Sequence, residues 1–126
     1  MKSVVVDTSV WVKHFRESDQ TLSQLLTQDC VLVHPLIIGE IACGTPPNRN
    51  QTITDLQNLQ QLQQASIRET MQFIEKERLF GLGCGLVDLF LLASTLMTTG
   101  ALLWTLDKRL SVLASRFNVG YCPSIH

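Results

Sequence analysis

The 126-residue chain contains no C-x-x-C pair and no histidine at metal-ligand spacing from a cysteine, so zinc chemistry lacks a ligand set. Its four cysteines, Cys30, Cys43, Cys84 and Cys122, stand far apart and read as reduced thiols of a cytosolic protein. Charged residues make up only 17% of the chain and nearly cancel, to −1, so any anionic partner must meet a local basic patch. The opening "MKSVVVDTSVWV" is too short an apolar stretch for a signal peptide, and Asp7 interrupts it. The longest apolar run, "GLVDLFLLASTLMTTGALLW" at 85–104, approaches the length of a membrane span. It holds Asp88 and a "TTG" helix stop, and so reads as a buried helix followed by a buried strand, with no membrane involved. "GLGCG" at 81–85 follows a helix instead of a strand and has neither phosphate-loop fingerprint, which leaves it a tight connector.

Hydrophobic residues supply 45% of the chain, enough for one domain over 1–126. A domain of that size buries roughly two-thirds of the surface its unfolded form exposes. The β-branched run 3–6 predicts a strand, "SVWVKHFRES" a helix, "TLSQLLTQ" a short helix and "CVLV" a second strand. "HPLIIGEIACG" predicts a helix with Pro35 in its first turn and Gly44 at its end, and "TPPNRN" a loop. Residues 51–64 place Ile53, Leu56, Leu59 and Leu62 on one helical face, and "SIRETMQFIEKERLFG" a second amphipathic helix ending at Gly81. A helix around Asp88, a strand "ALLWT", a helix "LDKRLSVLASRF" and a last strand near "VGY" complete the chain. Strands separated by helices imply an α/β fold with a mainly parallel central sheet and helices on both faces.

Most of the eleven acids have polar or charged neighbours, but four do not. Asp7 follows "VVV", Glu40 lies in "LIIGEIA", Asp88 in "GLVDLFLL", and Asp107 closes "LLWTLD". These contexts draw carboxylates toward the interior, where burial costs several kcal/mol without hydrogen bonds, a partner or a cation. Taken singly, Asp7 or Asp107 could cap a helix and Asp88 could favour a helix N-terminus; Glu40, inside an apolar helix, is harder to excuse. Asp7 and Asp107 fall at or past strand ends, where a parallel sheet opens onto one crevice that Glu40 and Asp88 can also face. Convergent carboxylates suit a hard cation such as Mg²⁺ or Mn²⁺, which can activate water and neutralise charge on a phosphodiester.

The blocks "VVVDTSVWV", "HPLIIGEIACG", "GLGCGLVDLFLLAS" and "LLWTLDKRL", in that order and covering nearly the whole chain, resemble the PIN-domain ribonucleases, specifically the VapC-type toxins of toxin–antitoxin pairs. The resemblance implies a three-layer α/β/α sandwich and a Mg²⁺- or Mn²⁺-dependent endoribonuclease of the cytoplasm. It implies an acidic quartet Asp7, Glu40, Asp88 and Asp107, with Asp7 and Asp88 as direct metal ligands and Ser9 and Thr105 as supporting hydroxyls. It also implies a homodimer, and inhibition by a cognate antitoxin whose C-terminal segment covers the crevice. Phe90 departs from the polar residue that many members of the family carry at its position.

Because the acids repel phosphate, RNA must be held by local basic residues. Lys13 and Arg16 lie one turn apart after Asp7, and Lys108 and Arg109 directly follow Asp107; Arg116 is a further candidate. Trp11 and Trp104 lie in apolar runs and belong to the core, and His14 and His34 fit helix-face or loop positions better than acid–base roles. An apolar patch on the helices of 20–28 or 51–80 would mediate protein contacts. Three other readings share these residues: a catalytically silent module binding RNA or protein, a DNA-directed nuclease, and an aspartyl phosphotransferase. The last lacks a second acid two residues after Asp7, where Ser9 stands.

Overall fold

A computed structural model describes residues 2–123. In chain order the elements are β1 (Ser3–Val6), α1 (Thr8–Arg16), α2 (Gln20–Thr27), β2 (Val31–Val33), α3 (Pro35–Ala42), α4 (Arg49–Gln57) and β3 (Gln60–Gln61), followed by α5 (Ile67–Glu77), α6 (Leu86–Met97), β4 (Ala101–Trp104) and α7 (Lys108–Arg116). The sheet runs β3-β2-β1-β4 with every pairing parallel. Parallel strands need crossover helices, and right-handed crossovers place α1 to α4 on one face and α5 to α7 on the other. The packing agrees: α1 meets α3, α3 meets α4, α5 meets α6, and Phe73 of α5 touches Phe117 just past α7 at 5.3 Å. The result is a three-layer α/β/α sandwich.

β1 is central because it is apolar on both faces. Val4, Val5 and Val6 are all buried, the unbroken pattern of a strand covered by helices above and below, and each contributes roughly 1.5–3 kcal/mol of burial. Trp11 and Trp104 are buried in the same core. The chain leaves β1 toward β2 on one side and returns from β3 to β4 on the other, so the strand order reverses at the β1–β4 pair. Crevices form at such reversals, at the carboxyl ends of the strands.

Local signals set the helix starts. Ser66 and Glu69 form a reciprocal capping box at α5, Asp19 caps α2 through the Leu22 amide, and Pro35 occupies the first turn of α3. Three boundaries differ from the sequence expectation. The helix expected over 51–64 is α4, starting at Arg49 inside the expected loop and ending at Gln57; Gln60–Gln61 instead form β3, pairing with Leu32 and Val33. The open edge of β2 decides this, because its backbone groups need partners whatever the side chains on the adding strand. α5 stops at Glu77, with Arg78 in the left-handed region, before the expected Gly81. The expected last strand is a single parallel bridge between Leu103 and Gly120. Among the described residues no helix is long and apolar enough to cross a membrane.

His34 is buried at the end of β2, and its Nδ1 accepts the Leu36 amide at 3.0 Å to cap α3. That bond leaves the proton on Nε2, and burial holds the imidazole pKa below its usual value. The unfolded chain therefore takes up a proton near pH 6.5 while the folded chain resists it. Stability is full above that pH and is lost as pH falls through the depressed folded value. Urea midpoints are expected to drop between pH 7.5 and 5.5, and His34→Asn, which keeps a capping acceptor, to flatten this step; an unchanged step in the variant would assign the loss elsewhere.

Candidate active site

Asp7 directly follows β1 and occupies the N-cap position of α1, yet its carboxylate bonds to no amide of that helix. Its backbone N–H donates to the Trp104 carbonyl at 2.9 Å, continuing the β1–β4 ladder past the end of β1. The side chain is 7% exposed. Two hydroxyls reach it: Ser9 Oγ and Thr105 Oγ1 each donate to Oδ2 at 2.8 Å. No hydrogen bond among the described residues falls on Oδ1. The hydroxyls are themselves anchored, since Ser9 Oγ accepts the Leu106 amide at 3.1 Å and Thr105 Oγ1 accepts the Asp107 amide at 3.1 Å. The chain past β4 is thereby tied to the start of α1 through one carboxylate.

The other three acids are held by separate devices. Asp107 caps α7, its Oδ1 accepting the amides of Arg109 at 2.9 Å and Leu110 at 3.1 Å. Asp88 lies in the first turn of α6 and its Oδ2 accepts the Gly85 amide at 3.2 Å. Glu40, on α3, accepts a 2.7 Å hydrogen bond at Oε1 from Thr8 Oγ1, at the start of α1. Burial differs from the sequence expectation: Asp7 is buried and Asp88 half-buried, but Glu40 and Asp107 are exposed. An exposed rim of acids needs only local hydrogen bonds, and both have them.

The four are nonetheless electrostatic neighbours. Burial pushes the Asp88 pKa up, the Gly85 amide opposes it, and the charges of Asp7, Asp107 and Glu40 push it further up. None of the four has a lysine or arginine in ion-pair contact among the described residues. Nor do any three His, Cys, Asp or Glu side chains there form a ready-made metal cage. The donor set fits a Mg²⁺- or Mn²⁺-type ion bound through one or two carboxylates, with water or phosphate oxygens completing the shell.

Of the basic candidates, Arg16 lines a cleft of about 470 Å³ together with Thr8 and Glu40. Arg109 lies across Gly83, and Lys13 and Lys108 are exposed. Arg116 turns away: its Nη2 donates to the Glu77 carbonyl at 3.2 Å and its guanidinium stacks on Phe117. His14 accepts the Asp19 amide at 2.9 Å, a structural role. Thr8 escaped the sequence reading; the signal lay in the second residue of "DTS", placed to start a helix beside Glu40.

An α/β/α sandwich with acids gathered at its strand-order reversal places them where ligands bind in open parallel sheets. The PIN domain family model matches residues 4–115, and the chain belongs to that family. It is also 38% identical over 122 residues, 97% of this chain and 98% of the relative, to Ribonuclease VapC32 of Mycobacterium tuberculosis, in both the CDC 1551 / Oshkosh and the ATCC 25618 / H37Rv strains.

Two stability measurements check this geometry. Thr105→Val removes one of two donors from a buried carboxylate and is expected to cost about 1–3 kcal/mol in chemical denaturation. Asp88 ionises against burial and three like charges, so its raised pKa makes the folded state lose stability as pH climbs from the ordinary carboxylate value through the raised one. Asp88→Asn is therefore expected to raise the melting temperature at pH 7 in chelator; a lower melting temperature would contradict the repulsion.

Proposed function

We propose that this chain is a Mg²⁺- or Mn²⁺-dependent endoribonuclease that acts as the toxin of a VapBC-type toxin–antitoxin pair. The observation that carries the proposal is the buried Asp7, oriented by two hydroxyls from opposite ends of the chain among three uncompensated acids, in a PIN-domain chain similar to a ribonuclease over almost its full length. In this reading Asp7 and Asp88 hold the ion, Glu40 and Asp107 complete the acidic quartet, and Ser9 and Thr105 fix Asp7. A divalent ion held there supplies charge neutralisation and an activated water to in-line phosphodiester hydrolysis. Ser9 and Thr105 fix the rotamer of Asp7 before substrate arrives, so its orientation costs nothing during the reaction. In the same reading Arg16, in a cleft with Glu40, and Arg109, against Gly83, together with Lys13 and Lys108 offset the repulsion between acids and phosphate.

The same charge distribution accounts for inhibition. An arginine or lysine from an antitoxin, entering the crevice, pairs with the carboxylates that otherwise hold the ion. The reading takes 1–126 as one PIN-like domain, acting in the cytoplasm as a homodimer. Ile67 and Met71, 64% and 58% exposed one turn apart on α5, supply an apolar face for a second copy.

Purified chain free of antitoxin is expected to cleave a structured RNA pool with Mg²⁺ or Mn²⁺, to stop with chelator, and to lose about 100-fold or more in rate with Asp7→Asn. Mn²⁺ is expected to raise the melting temperature of the unaltered chain and to do so much less for Asp7→Asn, a readout independent of turnover. Metal-dependent cleavage of a matched single-stranded DNA but not RNA would redirect the proposal to a DNA nuclease. An Mn²⁺ shift with no cleavage of either would favour a silent binding module.

A further inference from the structure

The turn that enters α6 has a feature that the acidic quartet does not use. Gly83 adopts φ +87°, and a Cβ there would fall 2.6 Å from Cδ and 2.9 Å from both Nε and Nη1 of Arg109. The Arg109 side chain therefore lies along the bare backbone of Gly83, in space that any other residue would fill. The two ends of this contact are the two acid-bearing segments: Gly83 is five residues before Asp88, and Arg109 donates its amide to Asp107. The charge of Arg109 is felt at the Cys84 thiol, which also feels Asp88 and Asp107.

The guanidinium is also unspent. Among the described residues Arg109 has no side-chain hydrogen bond or ion pair, although Arg49 gives two bonds to the Ala42 and Gly44 carbonyls and Arg116 gives one to Glu77. An exposed arginine ordinarily samples many rotamers, and holding it costs entropy. Here the side chain rests against the Gly83 backbone. A planar, always-charged donor held beside acids that repel phosphate is the group that can bring an RNA backbone to them.

We propose that Arg109 is a phosphate contact for the RNA strand at the acidic crevice and that Gly83 is its positioning residue, admitting the guanidinium by having no side chain. This rests on the RNA-directed reading above. Gly81 provides a built-in control: it too has a positive φ, +72°, but a Cβ there meets nothing within 4 Å. Alanine at 81 imposes backbone strain of the same kind without touching Arg109.

The test titrates a short fluorescein-labelled single-stranded RNA of mixed sequence with full-length protein in an Asp7→Asn background, at several KCl concentrations. Arg109→Ala and Gly83→Ala are each expected to weaken binding about tenfold, the loss of one charge-assisted contact. Each should also lower the slope of log Kd against log[KCl] by about 0.7. Combined, they should bind no more weakly than Arg109→Ala alone, because Gly83 acts through that side chain. Gly81→Ala is expected to bind like the parent. Arg109→Lys leaves the turn untouched; it should keep the salt slope and lose part of the affinity. Additive losses, equal damage from Gly81→Ala, an unchanged slope in Arg109→Ala or full affinity in Arg109→Lys would each overturn the proposal. A parent that binds no RNA overturns it together with the RNA-directed reading, which metal-dependent cleavage by the unaltered chain tests separately.

Discussion

The structure depends on one costly group, the Asp7 carboxylate, buried at the end of β1, the strand between β2 and β4. A buried carboxylate costs several kcal/mol unless its oxygens are satisfied, and here two hydroxyls do so from opposite ends of the chain. Ser9 is two residues away and comes with the start of α1; Thr105 is 98 residues away and arrives only if β4 pairs with β1. Satisfying Asp7 therefore requires the strand order that reverses at β1. Val4 to Val6 make the surroundings dry, and the topology supplies the hydroxyls that make dryness tolerable.

The remaining acids show that a capping role and a site role are the same placement. A helix N-terminus presents free amides and a partial positive charge, which favours a carboxylate there. Asp107 accepts two amides of α7 and Asp88 sits in the first turn of α6, while both helices begin at the edge of the sheet where Asp7 emerges. Local physics holds each acid in place, and the parallel architecture points these helix starts at one crevice. Glu40 has no such terminus and is instead held by Thr8 across the α1–α3 contact.

This division explains what was legible from residues alone. The apolar runs at 3–6, 31–33 and 101–104 declare strands because burial on both faces leaves a nearly unbroken apolar pattern, and Asp7, Glu40, Asp88 and Asp107 stood out against apolar neighbours. Gln60–Gln61 carry no strand signal of their own: a neighbouring edge recruited them, and their three-residue leucine spacing pointed to a helix. The exposure of Glu40 and Asp107 was equally hidden, because apolar neighbours in sequence alternate around a helix or end with a strand and do not enclose every residue between them. Gly83 looked like a connector; only its contact with Arg109, 26 residues on, distinguishes it from Gly81.

The acids are gathered without a matching positive charge, and this imbalance links proposed chemistry to proposed control. Burial first, and then the charges of Asp7, Asp107 and Glu40, push the Asp88 pKa up, against the Gly85 amide. Whatever enters with positive charge relieves the same repulsion, whether a divalent cation bringing RNA or a basic side chain bringing a protein. In the proposed reading the two occupants would draw on one electrostatic source and so would compete for the crevice.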